Sequence, residues 1–418
     1  MAKKQKEEEV KPEFSMSMLK AGMAKAGFKL ENLNEKNMGP PSEWINTGSY
    51  ILNAQLSGSI FGGIANTRIT EFAGDPGTGK TYLCLNLVRE AQRMGYDVVY
   101  IDTEGALPEK VDMVNIGIDF EKFTPVDEIY TVAALSNYVL NLIVEVEKLV
   151  EKGIHPKILI VVDSVGMLTT DKELNDTIKG HDASDMGLKA KQLKKFFTLT
   201  VRRLCSLSIP MVFTNHVYAG GMYEAKKASG GQGHIFAASS ILFFSKSHLK
   251  NDDEDEKKKT GIVAHSTPHK TRFAQPTQVD FYIEFKKGMN PYIGLEKYFS
   301  WNVCGIEKGK LYTQKDFDKE LTKNSKIADY FPFTFVDNNT GEVKDLVFVP
   351  SSTGRWCIKH LGKSIPSESQ LFTRDILTKS VLIELDEKGI QPEFKYPDTT
   401  RLFDEDLFAA DPDDIENE

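Results

Sequence analysis

Gly74-Asp75-Pro76-Gly77-Thr78-Gly79-Lys80-Thr81 is a complete G-x-x-x-x-G-K-[ST] sequence, the pattern of a phosphate-binding loop. Its glycines allow backbone N–H groups to turn inward around a phosphate, where a Cβ atom would block them. Lys80 adds a positive charge for the β- and γ-phosphates, and the Thr81 hydroxyl is suited to bind Mg²⁺. The stretch, together with the adjoining Tyr82, predicts a nucleoside triphosphate site. A glycine-rich turn without a ligand is the alternative.

The residues on both sides of this loop predict a strand before it and a helix after it. Residues 67–73 (Thr-Arg-Ile-Thr-Glu-Phe-Ala) read as a strand, and residues 82–94 place Leu83, Leu87 and Ala91 at helical spacing. Bound phosphates would then lie at the positive N-terminal end of a helix. This context favours the nucleotide site over the turn without a ligand.

Strand and helix patterns alternate further along the chain, which predicts an α/β fold with a mostly parallel sheet and helices on both faces. Strands are predicted at 98–102, 158–163 and 211–215, and helices at about 132–150 and 186–207. After residue 215 the helical patterns stop, and segments 241–245, 262–266 and 279–285 predict an antiparallel extension of the sheet. The expected domains are a helical arm for oligomerisation (1–45), an ATPase core (46–300), a small mixed region (301–395) and an acidic disordered tail (396–418).

The composition is that of a soluble globular protein, with 40% hydrophobic and 27% charged residues in a chain of 418. We find no apolar run that could span a membrane, and the first residues lack the apolar core of a signal peptide. The cysteines are far apart and form no metal-binding pair. They are Cys84, Cys205, Cys304 and Cys357. We therefore expect a location in the cytoplasm of a bacterium or of a phage-infected host.

The net charge of −8 is concentrated at the C-terminus. Eight acidic residues and no basic one lie between Asp404 and Glu418, so the rest of the chain is neutral. Such a block predicts a solvated, disordered tail. A tail that competes with DNA for a basic groove is the other hypothesis.

Acidic residues follow two of the predicted strands. Asp163 ends the apolar run 158–163, where a carboxylate beside a phosphate-binding loop orients Mg²⁺ through its water shell. Glu104 lies two residues past the strand 98–102, where a carboxylate can accept a proton from water that attacks the γ-phosphate. A turn or helix-cap Asp163 and a first-turn helical Glu104 are the alternatives.

His216 ends another predicted strand and is followed by a glycine-rich loop, residues 218–233. Its glycines, lysines and exposed Met and Tyr could wrap a phosphate backbone and wedge between bases. A mobile surface loop without a ligand is the alternative. An upstream loop, 173–185, adds basic side chains on the same edge. The candidate DNA-binding residues are Lys179, His181, Met222, Tyr223, Lys226, Lys227, Gly230 and Gly231.

From about Trp44 to Leu295 the chain resembles the RecA-type recombinases, and most of all their phage UvsX branch. The stretches that carry the resemblance are the phosphate-binding loop, Ile101-Asp-Thr-Glu-Gly-Ala-Leu, Val161-Val-Asp-Ser-Val, Ser184-Asp-Met-Gly-Leu-Lys-Ala, Thr214-Asn-His-Val-Tyr, Ser229-Gly-Gly-Gln-Gly and Met289-Asn-Pro-Tyr-Ile-Gly-Leu. In order and spacing this set is more specific than the loop alone. The resemblance implies a RecA-like P-loop ATPase core.

The resemblance also implies roles for single residues. Glu104 would be the catalytic carboxylate acting with Lys80, and His216 would sense the γ-phosphate. Lys270 and Arg272 match a basic pair that reaches the nucleotide of a neighbouring protomer, and Thr81 and Asp163 would hold Mg²⁺. RecA itself has glutamine in place of His216, whereas the UvsX branch shares the Asn-His pair.

At Val111 the chain departs from the family, which commonly has a tyrosine that stacks on adenine there, so acceptance of other triphosphates is left open.

The expected function is therefore that of an ATP-dependent recombinase, a DNA-dependent ATPase. It would form a helical homo-oligomeric filament on single-stranded DNA and pair it with double-stranded DNA. Expected partners include a single-strand-binding protein and a loader or mediator, and no membrane. The alternatives are a ring helicase built on the same core and a scaffold that binds ATP and DNA without hydrolysis.

Overall fold

A computed structural model describes residue 25 and residues 41–181, 187–218, 227–250, 259–298, 333–336, 343–350, 356–360, 363–364 and 379–396. The helices of this part of the chain are α1 (Tyr50–Ser57), α2 (Lys80–Arg93), α3 (Lys110–Ile116), α4 (Val132–Glu151), α5 (Asp171–Ile178), α6 (Leu188–Ser206), α7 (Gly233–Ala237), α8 (Lys379–Leu385) and α9 (Gln391–Phe394). Its strands are β1 (Trp44–Ile45), β2 (Ile64–Ala65), β3 (Ile69–Gly74), β4 (Asp97–Asp102), β5 (Phe123–Val126), β6 (Ile158–Asp163), β7 (Met211–Asn215), β8 (Val217–Tyr218), β9 (Lys227–Ala228), β10 (Ser240–Lys250), β11 (Lys259–Lys270), β12 (Val279–Glu284), β13 (Gly288–Met289), β14 (Phe333–Val336), β15 (Val343–Pro350), β16 (Trp356–His360) and β17 (Lys363–Ser364).

Nine strands form the central sheet, in the order β13-β12-β11-β10-β3-β7-β6-β4-β5. The strands from β10 to β5 are parallel to their neighbours, whereas β11, β12 and β13 are added antiparallel. The expected α/β sheet with an antiparallel extension is therefore confirmed. The carboxyl ends of β3, β4, β6 and β7 meet at one edge of the sheet, where ligands bind in open α/β sheets.

Helices cover both faces of the sheet, which explains why the sequence of strand β6 is apolar throughout. Leu159 and Val161 pack in a cluster with α2, whereas Ile160 and Val162 pack in the opposite cluster with α4 and α6. A strand that is buried on both faces needs an apolar side chain at every position rather than at alternate ones.

Most predicted segments of the core are confirmed within a few residues, and the differences are local. The predicted loop 173–185 is wrong over its first part, because α5 continues to Ile178. Thr170 starts this helix: its hydroxyl accepts a hydrogen bond from the Glu173 N–H. Helix α3 and strand β5 were not predicted, and the expectation that the helices stop after residue 215 is wrong, because α7 covers Gly233–Ala237. The short α3 follows a stretch without regular structure, and β5 contains Pro125, which its edge position tolerates.

The C-terminal part contains a four-stranded antiparallel sheet, β14 to β17, and a helical segment from Lys379 to Phe394. This segment packs on the core: the Asp386 carboxylate accepts hydrogen bonds from the Ile60 N–H (2.8 Å) and the Ser59 hydroxyl (2.7 Å). Phe394 is fully buried beside it.

The expected domain boundaries stay predictions. Except for residue 25, residues 1–40 of the expected arm lie outside the described residues, and so does the tail from 397. Among the helices described, none is both long and apolar enough to cross a membrane.

Candidate functional site

The phosphate-binding loop joins the end of β3 to the start of α2, as its sequence predicts. Gly77 and Gly79 have φ angles of +69° and +88°, which residues with a Cβ rarely adopt. A Cβ on Gly79 would also lie 2.4 Å from the Ile283 methyl group. Both glycines are therefore required by backbone geometry, and the loop leads into the N-terminus of α2, where free N–H groups can bind phosphate oxygens.

Lys80 lies inside this loop. Its Nζ donates hydrogen bonds to the carbonyl oxygens of Gly74 (2.9 Å) and Asp75 (3.1 Å), and Thr78 Oγ1 donates to the same Asp75 carbonyl. Burial lowers the pKa of the Lys80 ammonium, while the nearby carboxylates of Asp163 and Glu104 act in the opposite direction. Phosphate oxygens are stronger hydrogen-bond acceptors than these carbonyls. The Lys80 ammonium can therefore exchange its bonds to the carbonyls for bonds to phosphate oxygens.

Lys246 adds a second ammonium to the loop, which the sequence did not predict. Its Nζ donates to the Pro76 carbonyl at 2.8 Å, and a Cβ on Gly77 would lie 2.6 Å from that nitrogen. Lys246 reaches the loop because β10 runs parallel to β3, with Phe244 opposite Gly74. No local sequence signal marks this contact, since it joins segments 170 residues apart.

Asp163 ends β6 as predicted and is almost completely buried. Its Oδ2 accepts a hydrogen bond from the Tyr100 hydroxyl (2.9 Å), and its Oδ1 accepts one from the Thr214 hydroxyl. Burial and the Asp163 charge raise the pKa of Tyr100, which keeps that phenol a donor. The side chain is held by two neighbouring strands, so the helix-cap alternative is wrong.

The side chains around the loop fit Mg²⁺. The described residues contain no group of three or more His, Cys, Asp or Glu side chains that could hold a metal by itself. A magnesium ion bound with nucleotide does not need one, because phosphates and water supply most of its ligands. The Thr81 hydroxyl, on α2, and the Asp163 carboxylate are hard oxygen donors of the required kind.

Glu104, Ser164 and His216 form a compact cluster at the carboxyl edge of the sheet. Glu104 Oε1 accepts a hydrogen bond from the Ser164 hydroxyl at 2.6 Å and lies 3.0 Å from His216 Nε2. The Ser164 hydroxyl is itself 3.4 Å from that nitrogen. The structure therefore brings Glu104 and His216 together, and Ser164 is a member of the site that the sequence did not single out.

Asp102 holds the segment that carries Glu104. Its carboxylate accepts three backbone hydrogen bonds: from the N–H groups of Glu104 (3.1 Å), Ala106 (3.2 Å) and Leu107 (3.1 Å). Helix α3 begins at Lys110, so Glu104 is not in the first turn of a helix and that alternative is wrong. Sequence reasoning missed this role, although Asp102 stands inside the quoted Ile-Asp-Thr-Glu-Gly stretch.

The glycine-rich loop begins directly after His216. Strands β8 and β9 pair antiparallel and close its base, and the Ser229 N–H donates to the His216 carbonyl at 3.0 Å. Gly230 and Gly231 have positive φ angles, and their α-carbons face Leu193 and Ala190 of α6, where an added Cβ would clash. These two glycines therefore serve close packing of the loop base.

The remaining predicted DNA contacts are only partly described. Met222, Tyr223 and Lys226 lie outside the described residues, and Lys227 is placed by its backbone in β9. Lys179 caps the C-terminus of α5, and His181 follows it, exposed.

Lys270 is the last residue of β11, in the antiparallel extension of the sheet, and Arg272 follows two residues later. Lys270 is opposite Ile241 in the β10–β11 ladder, and Ile241 is paired with Glu71, the third residue of β3, three residues before Gly74 of the phosphate-binding loop. The Lys270 Nζ donates to the Ile235 carbonyl at 2.5 Å, and burial, assisted by the Arg272 charge, lowers its pKa. These two residues are not placed to reach the loop of their own chain.

The structure also places two further predicted positions, Val111 and Tyr82. Val111 is on α3 with 66% of its surface exposed. The Tyr82 hydroxyl accepts a hydrogen bond from the Met289 N–H at 3.3 Å, so its ring packs on β13.

Comparison with known proteins agrees with this geometry. The family model of the RecA N-terminal domain matches residues 26–290. The recombination and repair protein of Enterobacteria phage T4 is 26% identical over 288 residues, which are 67% of this chain and 67% of that protein. Protein RecA of Colwellia psychrerythraea is 29% identical over 330 residues, 72% of this chain and 88% of the relative. Because the family model covers more than half of the sequence, the chain belongs to the RecA family.

Proposed function

We propose that this protein is an ATP-dependent DNA recombinase that forms helical filaments on single-stranded DNA and catalyses homologous pairing and strand exchange. The observation that carries the proposal is the position of His216. Its imidazole lies 3.0 Å from the Glu104 carboxylate, and its backbone is bonded to the base of the glycine-rich loop. One residue thus links the hydrolytic carboxylate to the segment suited to grip DNA.

In this function the phosphate-binding loop and Lys80 hold the triphosphate, and Lys246 adds charge beside the loop. The Thr81 hydroxyl and the Asp163 carboxylate would hold Mg²⁺, which would supply positive charge to neutralise the phosphates. Glu104 orients the attacking water and accepts its proton, while Ser164 and His216 fix the direction of its carboxylate. His216 would sense the γ-phosphate, because its imidazole and the phosphate-binding loop lie at the same edge of the sheet.

The position of Lys270 and Arg272 supports an assembly in which each protomer completes the site of its neighbour. These two cations, at the end of β11 and just beyond it, would serve a nucleotide if a second copy presents its own phosphate-binding loop there. Repetition of such a head-to-tail contact builds an open helix or a ring. The T4 relative is named a recombination and repair protein, which favours the helix on DNA.

Binding of both DNA forms follows the same chemistry. Loop amides and lysines would neutralise phosphates of the single strand, and base pairing with the incoming duplex would supply sequence specificity. Such a filament needs two partners. One is a single-strand-binding protein that removes secondary structure from the DNA, and the other is a loader that replaces this protein with the filament.

The deciding experiment is ATP hydrolysis with and without single-stranded DNA, at low salt with Mg²⁺. We expect strong stimulation by DNA, and strand exchange between a circular single strand and a homologous linear duplex. Electron microscopy with ATP and DNA should show open helical filaments; closed hexamers that unwind duplex would support a ring helicase. ATP binding with a hydrolysis rate indifferent to DNA would refute the proposal and favour a scaffold.

A further inference from the structure

A second polar cluster lies behind the site, within the core. Glu71 on β3, Asn215 at the end of β7 and His234 on α7 are each at most 1% exposed. The Glu71 carboxylate is 2.6 Å from His234 Nδ1 through Oε2 and accepts a hydrogen bond from Asn215 Nδ2 at 3.0 Å through Oε1. Both oxygens of this buried carboxylate are therefore bonded.

The surroundings of His234 define its role as a donor. Its other ring nitrogen, Nε2, is buried without a hydrogen-bond partner among the described residues. A proton on Nδ1 satisfies the carboxylate and leaves Nε2 as an unpaired acceptor, whereas a proton on Nε2 would leave a buried donor unpaired and set two acceptors against each other. Removal of the Nδ1 donor would leave half of a buried carboxylate unsatisfied, which is costly inside a protein.

The cluster connects elements that hydrolysis and DNA binding both use. Asn215 Nδ2 also donates to the Ser229 carbonyl at 2.9 Å, and Asn215 Oδ1 accepts from the His216 N–H at 2.9 Å. On the other side, α7 carries the chain away from the glycine-rich loop, and its Ile235 carbonyl accepts from Lys270. The cluster thus contacts β3, which leads to the phosphate-binding loop, and both ends of the glycine-rich loop, at His216 and Ser229. It also includes a residue of α7, the helix whose Ile235 carbonyl binds Lys270.

We propose that Glu71, Asn215 and His234 are positioning residues: a buried polar brace that fixes the returning end of the glycine-rich loop to the strand of His216. Movement of the loop on DNA is then transmitted to His216 through Asn215, and to Lys270 through α7. None of the three needs to contact nucleotide or DNA. The inference rests on the proposed DNA-stimulated ATPase, which it deepens by naming the path of the coupling.

The test compares His234→Phe with a matched control. Phenylalanine keeps the ring edge against Phe213 but removes the Nδ1 donor. His265→Phe is the control, because His265 Nδ1 likewise meets a carboxylate, that of Asp280 at 2.8 Å, in the antiparallel extension away from the loop. For each purified full-length variant, kcat and KM for ATP are measured with and without single-stranded DNA, together with the melting temperature.

We expect His234→Phe to lower the stimulation ratio, kcat with DNA over kcat without DNA, about tenfold, a typical size for coupling between sites. KM for ATP should change less than about twofold, within the effect of an indirect contact. The His265→Phe control should keep the wild-type ratio. An unchanged ratio in folded His234→Phe, with a stimulated wild type, would overturn the brace.

If His234→Phe does not fold, Glu71→Gln serves instead, since it keeps the shape and removes the carboxylate; a wild-type ratio there overturns the brace as well. A wild type that DNA does not stimulate refutes the proposed function itself. In that case amide hydrogen exchange without DNA still tests the brace, because faster exchange at Ser229 and Ala238 in His234→Phe supports it and unchanged exchange refutes it.

Discussion

Asp102→Asn is the substitution that best tests how Glu104, the proposed catalytic carboxylate, is placed. Asp102 touches neither phosphate nor water in the proposed reaction; its carboxylate holds the segment of Glu104 by three backbone hydrogen bonds. Oδ1 accepts from Glu104 and Ala106, and Oδ2 accepts from Leu107. In the asparagine variant the carbonyl oxygen can keep the first two bonds, but the amide nitrogen would face the Leu107 N–H, donor against donor.

The size of the effect follows from this one lost bond. Asp102 is only 6% exposed, so water does not readily replace the lost acceptor. A buried donor left without a partner costs about 1–3 kcal/mol. If the displacement of Glu104 adds about 2 kcal/mol to the activation free energy of hydrolysis, kcat falls about 30-fold, since 1.36 kcal/mol corresponds to a factor of ten.

The assay is steady-state ATP hydrolysis at saturating DNA, with Asp97→Asn as control. Asp97 is the exposed first residue of the same strand, at the end remote from the site. We expect a lower kcat with KM for ATP nearly unchanged in Asp102→Asn, and wild-type values in the control. Wild-type kcat in a folded Asp102→Asn protein would refute the reasoning, because the segment would then be held by other contacts.

Three other substitutions test the remaining parts of the site. Lys80→Ala should abolish nucleotide binding or turnover, measured with a fluorescent ATP analogue and by phosphate release. Glu104→Gln should keep ATP and DNA binding while hydrolysis falls by orders of magnitude, and near-normal turnover would remove Glu104 from the role of base. Lys246→Met should raise KM for ATP by about tenfold, the effect of one charge-assisted contact of about 1.5 kcal/mol; an unchanged KM would show that Lys246 serves only the loop backbone.

The sequence predicted those parts of the site that follow from local pattern. The phosphate-binding loop needs glycines at positive φ, and β6 needs an unbroken apolar run, so both can be read from neighbouring residues. Asp163 and Glu104 were singled out because Asp163 ends one predicted strand and Glu104 follows another, and parallel strands bring their carboxyl ends to one edge.

The contacts that were missed join distant segments. Lys246 meets Pro76 across 170 residues, and His234 meets Glu71 across 163. No periodicity links such positions, since strand order decides which residues meet. Helix α5 was missed for a different reason: its exposed, polar turns carry little apolar pattern, and its start depends on the Thr170 cap.

The contact between the C-terminal helical segment and the start of the core has a consequence for synthesis. Asp386 bonds to Ser59 and Ile60, more than 320 residues earlier, and Phe394 fills the same region. A ribosome adds about 5–20 residues per second, so this apolar surface stays uncovered for tens of seconds after Ile60 has emerged. The core around Ile60 is therefore completed only after the helical segment 379–394 has been synthesised. A chain that ends at residue 300 would expose the apolar surface that Phe394 covers, and chaperones bind such surfaces.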